Sequence, residues 1–183
     1  MPHTSPDIQI CATWAETGKI HIWDIGNAVK SLNEPGVTFD QNVQPIHTAH
    51  VHKTEGFAMD WSTTGAAGRL LTGDNDGKIY LTQRTEAGWR SDATPFTSHT
   101  SSVEDIQWSP HDQSIFISCS ADRSIKVWDL REHKKPRVSF IAHSADVNVI
   151  SWNKNVQYLL ASGGDEGAFK VWDMRNLKRY YFI

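Results

Sequence analysis

The chain has 183 residues, 39% hydrophobic and 21% charged, with a formal net charge of −3, a globular composition that excludes the broad cationic surface of a duplex nucleic-acid binder. The start, Met1-Pro-His-Thr-Ser-Pro6, lacks the charged and apolar regions of a secretory signal, and no stretch approaches 18 apolar residues, so neither nucleic acid nor membrane is an expected direct partner. The two cysteines, Cys11 and Cys119, have no disulfide-framework or zinc spacing, which fits a reducing compartment.

The first element with a recognisable pattern is Ile20-His-Ile-Trp-Asp24, and it recurs as Ile79-Tyr-Leu-Thr-Gln83, Ile125-Lys-Val-Trp-Asp129 and Phe169-Lys-Val-Trp-Asp173. A second string precedes the last three: Phe57-Ala-Met-Asp-Trp-Ser62, Glu104-Asp-Ile-Gln-Trp-Ser109 and Asn148-Val-Ile-Ser-Trp-Asn153. Trp61, Trp108 and Trp152 are 47 and 44 residues apart, close to the roughly 40–45 residues of a propeller blade. Four units result, about 8–48, 52–98, 99–142 and 143–183. The segment 25–43 carries no pattern and reads as a mobile surface loop, since Trp23 to His52 is 29 residues where Trp128 to His143 is 15.

Within each unit, short apolar or alternating runs such as Tyr158-Leu-Leu-Ala161 are bounded by turn signals, namely Asn75-Asp76-Gly77, Ala121-Asp122-Arg123 and Glu166-Gly167. Each turn is placed to close a hairpin, and no convincing amphipathic helix is visible. The expected fold is all-β.

A histidine stands nine positions before each tryptophan of the second string: His52, His99 and His143. With these strings the chain resembles the WD-repeat family, whose seven-bladed propellers pin each blade by a buried tetrad of Trp, Ser/Thr, His and Asp. The resemblance implies about three full four-stranded blades and a partial one. Carried over by position, the third unit supplies His99, Ser118, Asp122 and Trp128. The second supplies His52, Thr72 and Asp76, with Thr82 replacing tryptophan, so that blade is expected to be less firmly tied. The fourth supplies His143, Ser162, Glu166 and Trp172, with Asp165 as an alternative acid, and the first keeps Thr13 and Trp23 with Thr17 at the acid position.

Ser118, His99 and Asp122 imitate a hydrolase triad, but a seryl hydroxyl already bonded to an indole and an imidazole is not a free nucleophile, and catalytic sites do not recur in neighbouring units. No phosphate loop, paired-carboxylate site or nucleophile elbow appears, so no enzyme and no cofactor is expected. His47, His50 and His52 lack a carboxylate or thiolate at metal-ligand spacing. Asp74-Asn-Asp76-Gly77 has lysine where a calcium loop needs a ligand and reads as a turn. Trp128-Asp-Leu-Arg131 and Trp172-Asp-Met-Arg175 match the short WDxR box of WD-repeat receptors in cullin-RING ubiquitin ligases, although both arginines could equally serve ion pairs.

Longer strings, including Ala12-Thr-Trp-Ala-Glu-Thr-Gly-Lys-Ile-His-Ile-Trp-Asp24, Glu55-Gly-Phe-Ala-Met-Asp-Trp-Ser62 and His99-Thr-Ser-Ser-Val-Glu-Asp-Ile-Gln-Trp-Ser-Pro110, are similar to the glutamate-rich WD-repeat branch of ribosome-assembly factors. That similarity runs from about residue 8 to Leu177, after which the tail leaves the pattern, and it implies a fragment of a longer propeller. It further implies a nucleolar chaperone for a basic ribosomal protein in large-subunit biogenesis, with a histone-binding chromatin factor or a ligase receptor as alternatives. Contacts are expected at the loop face carrying the tetrad histidines, from Lys53, Glu55, Glu104, Asp105 and Asp146, and for a ligase adaptor from Arg131 and Arg175.

Overall fold

A computed structural model describes residues 9–34, 36, 38, 42–64, 68–132, 134–177 and 180–182, folded into four antiparallel sheets. The first sheet joins β1 (Ile10–Trp14), β2 (Ile20–Asp24) and β3 (His47–Ala49). The second runs β4 (Ala58–Trp61), β5 (Arg69–Gly73) and β6 (Lys78–Thr85), with β7 (Gly88–Ser91) and β8 (Phe96–Thr97) both pairing with β6. The third is β9 (Val103–Trp108), β10 (Ile115–Ser120), β11 (Ser124–Asp129) and β12 (Pro136–Ile141). The fourth is β13 (Val147–Trp152), β14 (Leu159–Gly164), β15 (Phe169–Asp173) and β16 (Tyr180–Phe182). Consecutive sheets pack face to face as blades of an incomplete propeller, and no sheet closes on itself.

Three local expectations are corrected. The second sheet has five strands rather than four because its outer strand is broken between β7 and β8; Asp92 N still donates to Leu81 O at 2.9 Å, but Pro95 has no N–H to continue the ladder. The segment expected as loop contains α1 (Gly26–Asn33), entered where Asp24 Oδ1 accepts from Gly26 N at 2.9 Å. Only Gly26 of this helix is buried, so polar residues dominate it and its apolar signal is weak; residues 35, 37 and 39–41 of the expected loop lie outside the described residues. The tail beyond Leu177 does not leave the pattern, since β16 pairs with β15 from Trp172↔Tyr180 to Lys170↔Phe182.

Strand alternation sends successive side chains to opposite faces, and the third sheet is covered on both. In β10, Phe116 enters the core shared with the second sheet, beside Phe96, Trp108 and Trp128, while Ile117 and Cys119 enter the core shared with the fourth, beside Ile150, Leu160 and Trp172. Every residue of β11 is buried as a result, whereas β15, covered on one face, alternates. A smaller core of Ile20, Ala49 and Leu70 joins the first and second sheets.

The inner strands are also stitched by polar side chains that the sequence reading did not single out. Asp60 Oδ2 on β4 accepts from Trp108 N on β9 at 2.7 Å, and Gln107 Oε1 on β9 accepts from Trp152 N on β13 at 2.8 Å. The residue before each tryptophan thus caps the tryptophan amide of the next sheet. Only the recurrence of a polar side chain at that register hints at it.

Candidate functional site

The hairpin turns and the histidine-bearing loops gather at one end of the sheets. In the third sheet, His99 Nδ1 lies 2.8 Å from Asp122 Oδ2, His99 Nε2 lies 2.7 Å from Ser118 Oγ, and Trp128 Nε1 donates to that same hydroxyl at 2.8 Å. A carboxylate only accepts, so Nδ1 carries the proton of the neutral ring and Ser118 donates to Nε2. Burial holds the His99 pKa below its ordinary value, although Asp122 opposes this. Burial alone would raise the Asp122 pKa, but hydrogen bonds from His99 and Ser124 outweigh it and leave the carboxyl well below the usual range. Ser118 is wholly buried, its donor and acceptor capacity committed, which leaves no route to a substrate.

In the fourth sheet Glu166 Oε1 reaches His143 Nδ1 at 2.7 Å, and Ser162 Oγ meets His143 Nε2 at 2.7 Å and Trp172 Nε1 at 2.9 Å. Glu166, rather than Asp165, supplies the acid; Asp165 instead accepts from Asn148. In the second sheet His52 Nε2 meets Thr72 Oγ1 at 2.7 Å, but the acid is Asp74, whose Oδ2 lies 2.8 Å from His52 Nδ1. This corrects the assignment to Asp76, which is exposed and paired with Lys78 Nζ at 3.1 Å. Asp74 occupies the position of Ser120, two residues nearer the strand than Asp122, and its carboxylate accepts from His52 Nδ1. Thr82 turns to Ser91 Oγ at 2.7 Å, while the rings of Trp14 and Tyr80 pack on His52 with centroids 4.4 and 4.7 Å away. In the first sheet Trp23 Nε1 donates to Thr13 Oγ1 at 2.9 Å.

The turns abut the next histidine loop. Gly77 has φ +77°, and a Cβ there would meet His99 O at 2.8 Å and Ser101 O at 2.9 Å. The lack of space requires glycine and the left-handed conformation favours it; Arg123 takes the equivalent position of the third turn at φ 69°.

Two repeats of this construction match the family model described as "WD domain, G-beta repeat", at residues 90–129 and 134–173. The chain carries WD repeats. It is similar to a protein named ribosome assembly protein rrb1 from Schizosaccharomyces pombe, 46% identical over 73% of this chain and 28% of that protein. It is also 48% identical to glutamate-rich WD repeat-containing protein 1 of Dictyostelium discoideum, over 68% of this chain and 26% of that protein. A probable histone-binding protein, rba-1 of Caenorhabditis elegans, is 32% identical over 73% of this chain and 31% of that protein. The chain therefore spans between about a quarter and a third of the length of these relatives.

On this WD-repeat chain the sequence-selected surface residues fall at two opposite ends. Lys53, Glu55, Glu104 and Asp146 lie by the tetrad histidines; Lys53 and Glu55 are exposed, Glu104 and Asp146 half-buried. Glu104 accepts from Ser102 Oγ, and the Asp146 carbonyl accepts from Asp165 N at 2.9 Å. Asp105 does not join that surface: its Oδ1 accepts from Ile106 N at 2.8 Å and its Oδ2 from Ile150 N at 3.0 Å, tying β9 to β13. Arg131 and Arg175 lie at the far end, each forked onto the aspartate of its own WDxR string: Arg131 to Asp129 at 2.7 and 2.6 Å, Arg175 to Asp173 at 2.9 and 2.6 Å. The Arg131 hydrogen bonds draw the Asp129 pKa down to about 2. Arg175 also covers the Tyr158 ring at 3.5 Å. His52 is engaged by Asp74 and Thr72, and among the described residues no group of three His, Cys, Asp or Glu side chains is placed to hold a metal ion.

One stitching carboxylate makes stability depend on pH. Burial raises the Asp60 pKa to about 6; the Trp108 N–H partly offsets this and Asp105 adds to it. A raised folded pKa means that ionisation is harder in the folded state, so this contribution is present below about pH 4 and is lost as the pH rises through about 6. Asp60→Asn keeps an acceptor for Trp108 N and removes the charge. Relative to wild type, the variant is expected to gain up to about 3 kcal/mol at pH 7 and nothing below pH 4. Thermal melts of both proteins at the two pH values check this; an advantage independent of pH contradicts it.

Proposed function

We infer that this chain is the protein-binding part of a non-enzymatic scaffold in large ribosomal-subunit assembly, holding a basic ribosomal protein before its incorporation, in the nucleolus. The observation carrying the reading is the composition of the tetrad-histidine end. There the exposed or half-buried carboxylates Glu16, Glu55, Asp76, Glu104, Asp146, Asp165 and Glu166 outnumber the exposed or half-buried cations Lys19, Lys53, Lys78 and Arg123, while Lys126 and Lys170 are buried, although the chain as a whole is close to neutral. The name of one relative, ribosome assembly protein rrb1, supports the reading. A surface of this sign steers cationic segments and shields them from wrong contacts without any bond being made or broken.

A competition experiment tests it. The immobilised chain is offered basic proteins stripped from large ribosomal subunits together with purified core histones, at increasing salt. Retention of one ribosomal protein over the histones, weakening as salt rises, is expected. Preferential retention of histones would transfer the assignment to the histone-binding reading, which the similarity to rba-1 favours.

A further inference from the structure

One cavity at the tetrad-histidine end combines acidic and aromatic walls. It has a volume of about 300 Å³ and lies between the first and second sheets, walled by Trp14, Glu16, Glu55, Gly56 and Phe57. Phe57 is 74% exposed, immediately before an inner strand whose first residue, Ala58, is buried. Glu16 and Glu55 are exposed, and neither has an ion-pair partner among the described residues. The Trp14 indole N–H is shielded from solvent and also lacks a hydrogen-bond partner among them. Gly56 admits no side chain, since a Cβ would stand 2.3 Å from Gly73 O, so the wall between Glu55 and Phe57 is bare backbone.

Two other cavities are already committed. The one beside the inner strands holds Asp60, Asp105 and Gln107, whose side chains stitch the sheets, and it contains Lys154. The one at the far end contains Arg175, forked onto Asp173. Between Trp14 and Phe57, carboxylates with no ion-pair partner among the described residues meet exposed aromatic surface.

Two carboxylates lining one cavity attract a cation, and aromatic rings favour one that is planar and weakly hydrated, which describes guanidinium better than ammonium. We propose that the Trp14, Glu16, Glu55 and Phe57 cavity receives an arginine side chain of the bound basic protein. The proposal rests on the reading that this end of the chain holds a cationic partner. It adds where the anchoring contact lies and which cation is preferred.

A fluorescein-labelled oligoarginine peptide and its oligolysine counterpart, titrated against the purified chain by fluorescence anisotropy, test the assignment. Wild type is expected to bind the arginine peptide more tightly than the lysine peptide. Phe57→Ala, and separately Glu16→Gln combined with Glu55→Gln, are expected to weaken arginine-peptide binding about fivefold or more and to narrow the preference. Because these side chains are exposed, unchanged melting should accompany the loss. If both variants bind like wild type while Glu104→Gln with Asp146→Asn loses affinity, the cavity assignment is overturned and the acidic end still holds a basic ligand. If wild type binds neither peptide, the cavity assignment and the proposed function both fail.

Discussion

Trp128→Ala is expected to destabilise the chain by about 3–5 kcal/mol, the range for emptying a buried aromatic site. Trp128 is wholly buried, stacks on Phe116 with ring centroids 5.8 Å apart, meets Phe96 edge-on at 5.6 Å and donates to Ser118 Oγ. Truncation therefore opens a cavity between two sheets and removes one of the two groups orienting the Ser118 hydroxyl. Against a typical total of about 5–15 kcal/mol, this places the variant near the edge of folding. Denaturant unfolding followed by circular dichroism measures the loss. Trp128→Phe retains most of the packing and should cost about 1 kcal/mol, mainly for the hydrogen bond. Equal losses in the two variants would mean that ring burial contributes little at this site.

Asp74→Ala is expected to cost about 2–4 kcal/mol, and Asp76→Ala less than about 0.5 kcal/mol. Asp74 is fully buried and serves two donors, His52 Nδ1 through Oδ2 and Lys78 N through Oδ1, each at 2.8 Å. Removing it leaves the buried His52 Nδ1 and the part-buried Lys78 N without their acceptor. Asp76 loses only a surface ion pair with Lys78, whose energy water and salt largely cancel. Parallel urea melts decide between them, and the reverse order would return the tetrad acid to Asp76.

That contrast marks how far the sequence could be read. His99, Ser118, Asp122 and Trp128 were legible because a hairpin of constant length carries them: Thr72↔Tyr80, Ser118↔Lys126 and Ser162↔Lys170 are equivalent pairs, each closed by a turn of the same length. The same constancy concealed Asp74, since matching by position selects Asp76, while reach and burial select the acid nearer the strand. A carboxylate at Asp74 where the third unit has Ser120 was the available signal. Asp105 read as a surface charge because nothing local reveals that Ile150 N, 45 residues later, lies against it. The helix Gly26–Asn33 went unread because it buries almost nothing, and hydrophobic periodicity reports only faces that are buried.

The sequence by itself determined the repeat, most of its strand and turn positions, the histidine and hydroxyl of the second, third and fourth tetrads, and the tryptophans of the third and fourth. These depend on spacing within one hairpin and its adjoining loop, which the covalent chain sets. The tertiary structure decided which carboxylate completes the second tetrad, how Asp60, Asp105 and Gln107 stitch neighbouring sheets, that the tail adds a strand, and which acidic side chains remain unpaired beside Phe57. Those outcomes depend on burial and on contacts between units, where the residue that arrives first at a buried donor is chosen by packing rather than by its place in a motif.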